Sequence, residues 1–114
     1  MSECLFCSIA KGEIPSDFVY QDEDIVAFKD INPQAPVHLL VIPRRHITSV
    51  LDTSDEDIAL LGRLQSTAVK LAKEFDLDTN GFRLVINCLK DGGQAVFHLH
   101  LHLLGGRAMN WPPG

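Results

Sequence analysis

The segment His98-Leu99-His100-Leu101-His102-Leu103-Leu104 constrains this chain more than any other. Three of its five histidines alternate strictly with leucines. Side chains of a strand point to opposite faces in turn, so the pattern predicts a strand over Val96–Leu104. His98, His100 and His102 then share one face, and Leu99, Leu101 and Leu103 share the other. The leucine face must be buried, which requires a covering layer on that side. A neutral imidazole serves as nucleophile, proton carrier or metal ligand near pH 7, so the opposite face is the candidate site. Gly92-Gly93-Gln94 leads into this strand and Gly105-Gly106 closes it.

A chain of 114 residues, 46% hydrophobic and 22% charged, has the length and composition of one globular domain, 1–114, with a short tail over 105–114. The net charge of −5 argues against nucleic acid or an anionic membrane as a bulk electrostatic partner. No apolar run approaches the ~20 residues of a membrane span. The opening Met-Ser-Glu-Cys has no basic region followed by an apolar block, which leads us to expect a cytoplasmic protein.

The segment Cys4–Lys11 reads as a helical turn or two. Strands are expected over Phe18–Tyr20, Ile25–Phe28, Val37–Ile42 and Arg83–Asn87, with the proline-bounded loop Asp30–Pro36 between the second and third. Ser54 is a suitable N-cap for one long helix, and Asp55, Glu56 and Asp57 suit its first turn. Ile58, Leu61, Leu64, Ala68, Leu71, Ala72 and Phe75 recur at spacings of three and four and form its apolar stripe. Cys88–Gln94 reads as a loop. Short connections favour antiparallel pairing. The expected fold is therefore α+β, two-layered: a five-stranded antiparallel sheet, one long helix and a short N-terminal helix.

His38 lies on the third expected strand, where it reads either as a packed core histidine or as a neighbour of the three. Cys4-Leu5-Phe6-Cys7 has a common zinc spacing, although two thiolates need two more ligands, and the pair also reads as two reduced cysteines on a helical turn.

The run Gly93–Leu104 resembles the signature of the histidine triad (HIT) superfamily. Glu13-Ile14-Pro15, Asp30–His38, Val41-Ile42-Pro43, Asp91–Gln94 and the tail Gly105-Gly106-Arg107…Trp111–Gly114 resemble its Hint branch, the purine nucleoside phosphoramidases. The resemblance covers nearly the whole chain. It implies that His100 attacks the α-phosphorus of an adenosine 5′-phosphoramidate and expels the amine. A covalent nucleotidyl-histidine results, which water hydrolyses. A histidine nucleophile needs one ring nitrogen bare and the other held by an acceptor, and the carbonyl of His98 is the expected holder. His102 and His38 would flank the phosphate and neutralise charge or pass a proton.

The same resemblance assigns Asp30 to the ribose hydroxyls. It assigns Leu5, Phe6, Ile9, Ile14, Phe28 and Ile31 to the base pocket, where plain core packing is the competing account. Asn87, Gly93, Gln94 and Val96 fall to the phosphate end. It implies no cofactor for catalysis and a structural Zn²⁺ held by Cys4, Cys7, His46 and His98. It also implies a homodimer in which Trp111 reaches the partner's site. AMP or GMP moieties are the expected substrates, and acyl-adenylates such as lysyl-AMP extend the list. One position departs from the pattern: Ala95 stands where many Hint proteins carry a serine after the Gly-Gln pair. That departure keeps open a nucleotide-binding regulator with weak turnover. Dinucleoside polyphosphate hydrolysis or nucleotidyl transfer, the activities of other HIT branches, is disfavoured by a chain that stops soon after the triad.

Overall fold

The structure is a computed structural model and describes residues 4–114. Helix α1 (Leu5–Ala10) is followed by strands β1 (Phe18–Gln21), β2 (Ile25–Lys29) and β3 (Val37–Pro43). The long helix α2 (Ile58–Glu74), β4 (Phe82–Val85), the single turn α3 (Leu89–Gly92) and β5 (Leu101–Gly105) complete the order. The strands form one antiparallel sheet in the order β1-β2-β3-β5-β4. This is the expected α+β sheet with one long helix and a short N-terminal one.

The register explains how the site is placed. In β3 and β5, Leu39 pairs with Leu103 and Val41 with Leu101, and these four face α2. Leu64, Ala68, Leu71 and Ala72 of α2 close that core with Leu99. Full burial of each large aliphatic side chain here contributes roughly 1.5–3 kcal/mol. Alternation sends His38, Leu40 and His102 to the opposite face, because Leu40 pairs with His102 and His38 with Leu104. On that face Phe6, Ile9 and Ala10 of α1 pack with Val26, Phe28, Leu40 and Ile42.

Several local expectations are corrected. Ser54 caps a 3₁₀ turn, Asp55–Asp57, not the long helix, because the Asp57 carboxylate turns back to the Ser54 amide and closes a capping box. The α-helix therefore starts at Ile58, which lies 65% exposed in its first turn, and the buried stripe runs Leu64, Thr67, Ala68, Leu71, Ala72. The helix ends at Glu74, and β4 ends at Val85. Within the segment expected to be a loop, Leu89–Gly92 makes one helical turn. Gly93 ends it at φ 80°, the left-handed region that favours glycine.

The histidine strand is also shorter than expected, spanning Leu101–Gly105. Continuing the β3–β5 register would oppose Leu99 to Pro43. Proline has no N–H to give, and its carbonyl accepts from the His98 ring at 2.8 Å. The ladder therefore stops, and the Leu99 amide turns to the Ile47 carbonyl. No helix among the described residues is long and apolar enough to cross a membrane.

Candidate active site

A cavity of about 330 Å³ opens on the α1 side of the sheet. That is within the size range of small-molecule sites, roughly 300–1,000 Å³. Its apolar walls come from Leu5, Phe6 and Ile9 of α1, from Ile14, and from Phe28 and Leu40 of the sheet. Asp30 and Ile31, just past β2, line it together with Ala95, Val96, His100 and His102, and the Asp30 carboxylate lies within 4.8 Å of a His102 ring nitrogen. Ten of the expected site residues thus meet around one space, with Pro15 and Ala95 from the quoted motifs beside them. Ser16, Lys29 and Leu40 also line it and were not singled out. The first two follow or adjoin the motif residues Pro15 and Asp30, which is the signal that could have found them.

The hydrogen bonds fix the tautomers of His38, His98, His100 and His102. The Gln34 backbone amide donates to His38 Nδ1 at 3.0 Å, so the proton of neutral His38 sits on Nε2. That atom lies 2.9 Å from His102 Nδ1 and 3.4 Å from Asp30 Oδ2. The shorter contact makes His38 the donor to His102. His102 then carries its proton on Nε2, a buried atom with no hydrogen-bond partner. A buried donor left unmatched costs about 1–3 kcal/mol, so this atom is set up to meet an acceptor that arrives with a ligand. Asp30, His38 and His102 also converge closely enough to suggest a cation site. The protonated His38 Nε2 offers no lone pair there, and the relay reading is the better one.

His100 is held in the opposite sense. Its Nδ1 donates to the His98 carbonyl at 2.7 Å, as expected, which leaves the lone pair on Nε2. Phe6 stands edge-on to this ring, with centroids 5.1 Å apart, and the His102 ring is 4.9 Å away. Burial holds the imidazoles of His38, His98 and His100 below their ordinary pKa. It brings His102 down to about 4, with help from the neighbouring His100 and His38. The group is therefore neutral at pH 7, the form a nucleophile and a hydrogen-bond relay both need.

His98 belongs to a second cluster. Its Nε2 donates to Pro43, so its lone pair lies on Nδ1, 3.4 Å from both Cys4 Sγ and Cys7 Sγ. His46 Nδ1 lies 3.4 Å from Cys7 Sγ, with its Nε2 toward Thr48 Oγ1. All four ligand atoms lie within 4.8 Å of one another. Ligands 2.0–2.3 Å from one tetrahedral ion stand about 3.3–3.8 Å apart, so both the spacing and the S₂N₂ donor set fit zinc. The carbonyl and hydroxyl behind the two imidazoles are the outer partners that orient metal-binding histidines.

Several expected site residues lie elsewhere. The Gln94 side chain turns inward: its Oε1 accepts from the Leu89 amide and its Nε2 donates to the Thr48 and Val96 carbonyls. It braces the loop that carries Val96, and the cavity does not reach it. Gly93 caps α3 and Asn87 lies between β4 and that turn; neither lines the cavity. His38 acts from behind His102. Trp111 is 82% exposed, far along the tail.

The HIT domain family matches residues 11–109. The chain is 48% identical over 107 residues to the purine nucleoside phosphoramidase of Escherichia coli (strain K12), covering 94% of this chain and 90% of that one. It is 49% identical over 114 residues to a 14 kDa zinc-binding protein of Brassica juncea, covering 98% and 100%. The crystal structure of a HIT family hydrolase from Legionella pneumophila Philadelphia 1 superposes with a TM-score of 0.97 at 54% identity, covering 98% of this chain and 100% of that one. With its cavity and histidines already in place, the chain belongs to the HIT family and sits with the Hint-like branch of that superfamily.

Proposed function

We propose that this protein is a hydrolase that cleaves the P–N bond of purine nucleoside 5′-phosphoramidates through a nucleotidyl-histidine at His100. One observation carries the reading. His100 presents a bare Nε2 and His102 an unmatched Nε2–H at the same end of one apolar cavity. The apolar walls suit a flat purine, and Asp30 in the lining suits the ribose hydroxyls.

The steps follow from the tautomers. The His100 Nε2 lone pair forms a bond to phosphorus as the bond from phosphorus to the amine nitrogen breaks. The incoming phosphoryl anion favours uptake of a solvent proton by His102 beside it, and the resulting imidazolium gives its Nε2 proton to the departing amine. Water attacks the nucleotidyl-histidine next. Its proton returns to the relay, nucleoside monophosphate leaves and His100 is regenerated. Acyl-adenylates such as lysyl-AMP fit the same scheme with a carboxylate leaving group. Ala95 lines the cavity without a hydroxyl, so the relay alone protonates the leaving group. Zinc, held by Cys4, Cys7, His46 and His98, would supply a crosslink between α1 and the sheet, and no chemical step requires it. A homodimer in the cytoplasm is the assembly and compartment we infer. β4 is an edge strand that pairing would protect, and a monomer in sedimentation at micromolar concentration would contradict the dimer.

The test is steady-state hydrolysis of a fluorogenic adenosine 5′-phosphoramidate by wild type and His100→Ala in parallel. We expect turnover in the wild type and a loss of at least about a thousandfold in the variant. A folded wild type without turnover, or a variant close to wild type, overturns the reading.

A further inference from the structure

Helix α1 takes part in both clusters. Its N-cap Cys4 and its Cys7 bring their sulfurs to His98 and His46. Leu5, Phe6 and Ile9, from the same short stretch, line the cavity. Phe6 sits between the two cysteines in sequence and packs edge-on against Phe28 at 5.5 Å and against the His98 ring at 6.0 Å. The helix has six residues, too few to hold itself in water. Its C-terminal end is tied by Arg44, which donates to the Ala10 carbonyl at 2.7 Å, and by Ile9 and Ala10 in the apolar layer. At its N-terminal turn Phe6 packs into the same apolar layer, and Cys4 and Cys7 reach the histidines of the Cys/His cluster.

We propose that Cys4 and Cys7 are positioning residues for the nucleoside pocket: a metal ion gripped by Cys4, Cys7, His46 and His98 holds α1 where Leu5 and Phe6 form the wall, so metal and nucleoside bind cooperatively. The proposal rests on the nucleoside reading of the cavity. Neither cysteine lines the cavity or reaches the His100 Nε2 end, so the cluster acts on affinity and leaves the chemical step alone. Linkage is reciprocal: whatever factor the metal adds to nucleoside affinity, the nucleoside adds to metal affinity. We expect about tenfold each way.

The test uses the full chain, Zn²⁺ and AMP. AMP is titrated calorimetrically into zinc-loaded and chelator-stripped protein. Zinc affinity is measured by competition with a chromophoric chelator, with and without saturating AMP. Cys4→Ser is assayed for hydrolysis alongside. Support is AMP binding about tenfold weaker without zinc, zinc binding about tenfold tighter with AMP, and a KM raised about tenfold with kcat within about twofold. Equal AMP affinity with and without zinc overturns the proposal and leaves the nucleoside reading standing. Zinc-loaded protein that binds no AMP overturns both. A fall in kcat at constant KM also overturns it, because the cluster would then act through the His98 carbonyl on His100. Two further results overturn it: a protein that retains no zinc, and loss of the β-sheet circular dichroism on stripping, which would make the metal a global staple.

Discussion

Two imidazoles separated by one leucine meet opposite fates in this protein. His100 donates from Nδ1 and presents Nε2. His98 donates from Nε2 and presents Nδ1. Both protons go to backbone carbonyls, and the other ring nitrogen of each keeps its lone pair. They differ in what the lone pair meets: an apolar cavity at His100, and two sulfurs at His98. A histidine therefore becomes nucleophile or ligand according to which carbonyl holds its other nitrogen, and the backbone decides that before any ligand arrives.

The largest expected effect breaks the pair apart. His100→Ala should lose at least about a thousandfold in turnover while retaining zinc, read by metal analysis of the purified protein. His98→Ala should lose zinc retention and several degrees of Tm, because a fully buried side chain and its bond to Pro43 both go. If His100→Ala loses its zinc, or His98→Ala keeps it, the two sites are not separate in the way the tautomers indicate.

His102→Asn comes next. Asparagine can still accept from His38 Nε2 but cannot act as an acid. Turnover of an AMP-amine should fall about a hundredfold, with KM nearly unchanged. An acyl-adenylate, whose carboxylate leaves without a proton, should lose much less. Equal losses on both substrates would remove His102 from the proton path.

Much of this comparison was legible in the sequence. The strict alternation of His98–Leu103 gave the face of each side chain, and the resemblance gave the partners of Cys4 and Cys7. Periodicity says nothing about hydrogen-bond direction. That Gln34 starts the relay by donating to His38 depends on the turn geometry of the proline-bounded loop. The early end of β5 depends on Pro43 meeting Leu99 across two strands, a pairing no local window contains. The bracing role of Gln94 is hidden from the sequence for a related reason. Its three hydrogen bonds reach Thr48, Leu89 and Val96, and only the folded chain brings those three together. Ile58 fits the helical stripe by spacing, but a capping box that ends at Asp57 leaves it in an exposed first turn.

The neutral state of the relay carries a pH dependence. Burial pushes His102 to about 4, below the ~6.5 of an unfolded histidine. Between those values the unfolded chain binds a proton that the native protein does not, so stability falls as pH drops from about 6.5 toward 4 and is unaffected by this group above 6.5. At about 1.36 kcal/mol per pKa unit the full shift corresponds to about 3 kcal/mol, an upper figure that solvent screening of the half-buried ring reduces. Urea unfolding at pH 7.5 and 4.5 should show it, and His102→Asn should remove part of the slope. An unchanged slope would assign the acid sensitivity to the Cys/His cluster instead.

The smallest effect probes that cluster at its wet edge. His98 is backed by a buried carbonyl, His46 by the exposed Thr48 hydroxyl at 3.3 Å. Outer partners of metal-bound histidines typically contribute 10–100-fold in affinity. At an exposed position water replaces a lost hydroxyl at little cost, so Thr48→Val should weaken zinc only about threefold. Chelator competition resolves that difference. A loss of a hundredfold would mean that Thr48 fixes the His46 ring as firmly as Pro43 fixes His98. The cluster would then be preorganised at both imidazoles, not only at that of His98, whose carbonyl holds the nucleophile.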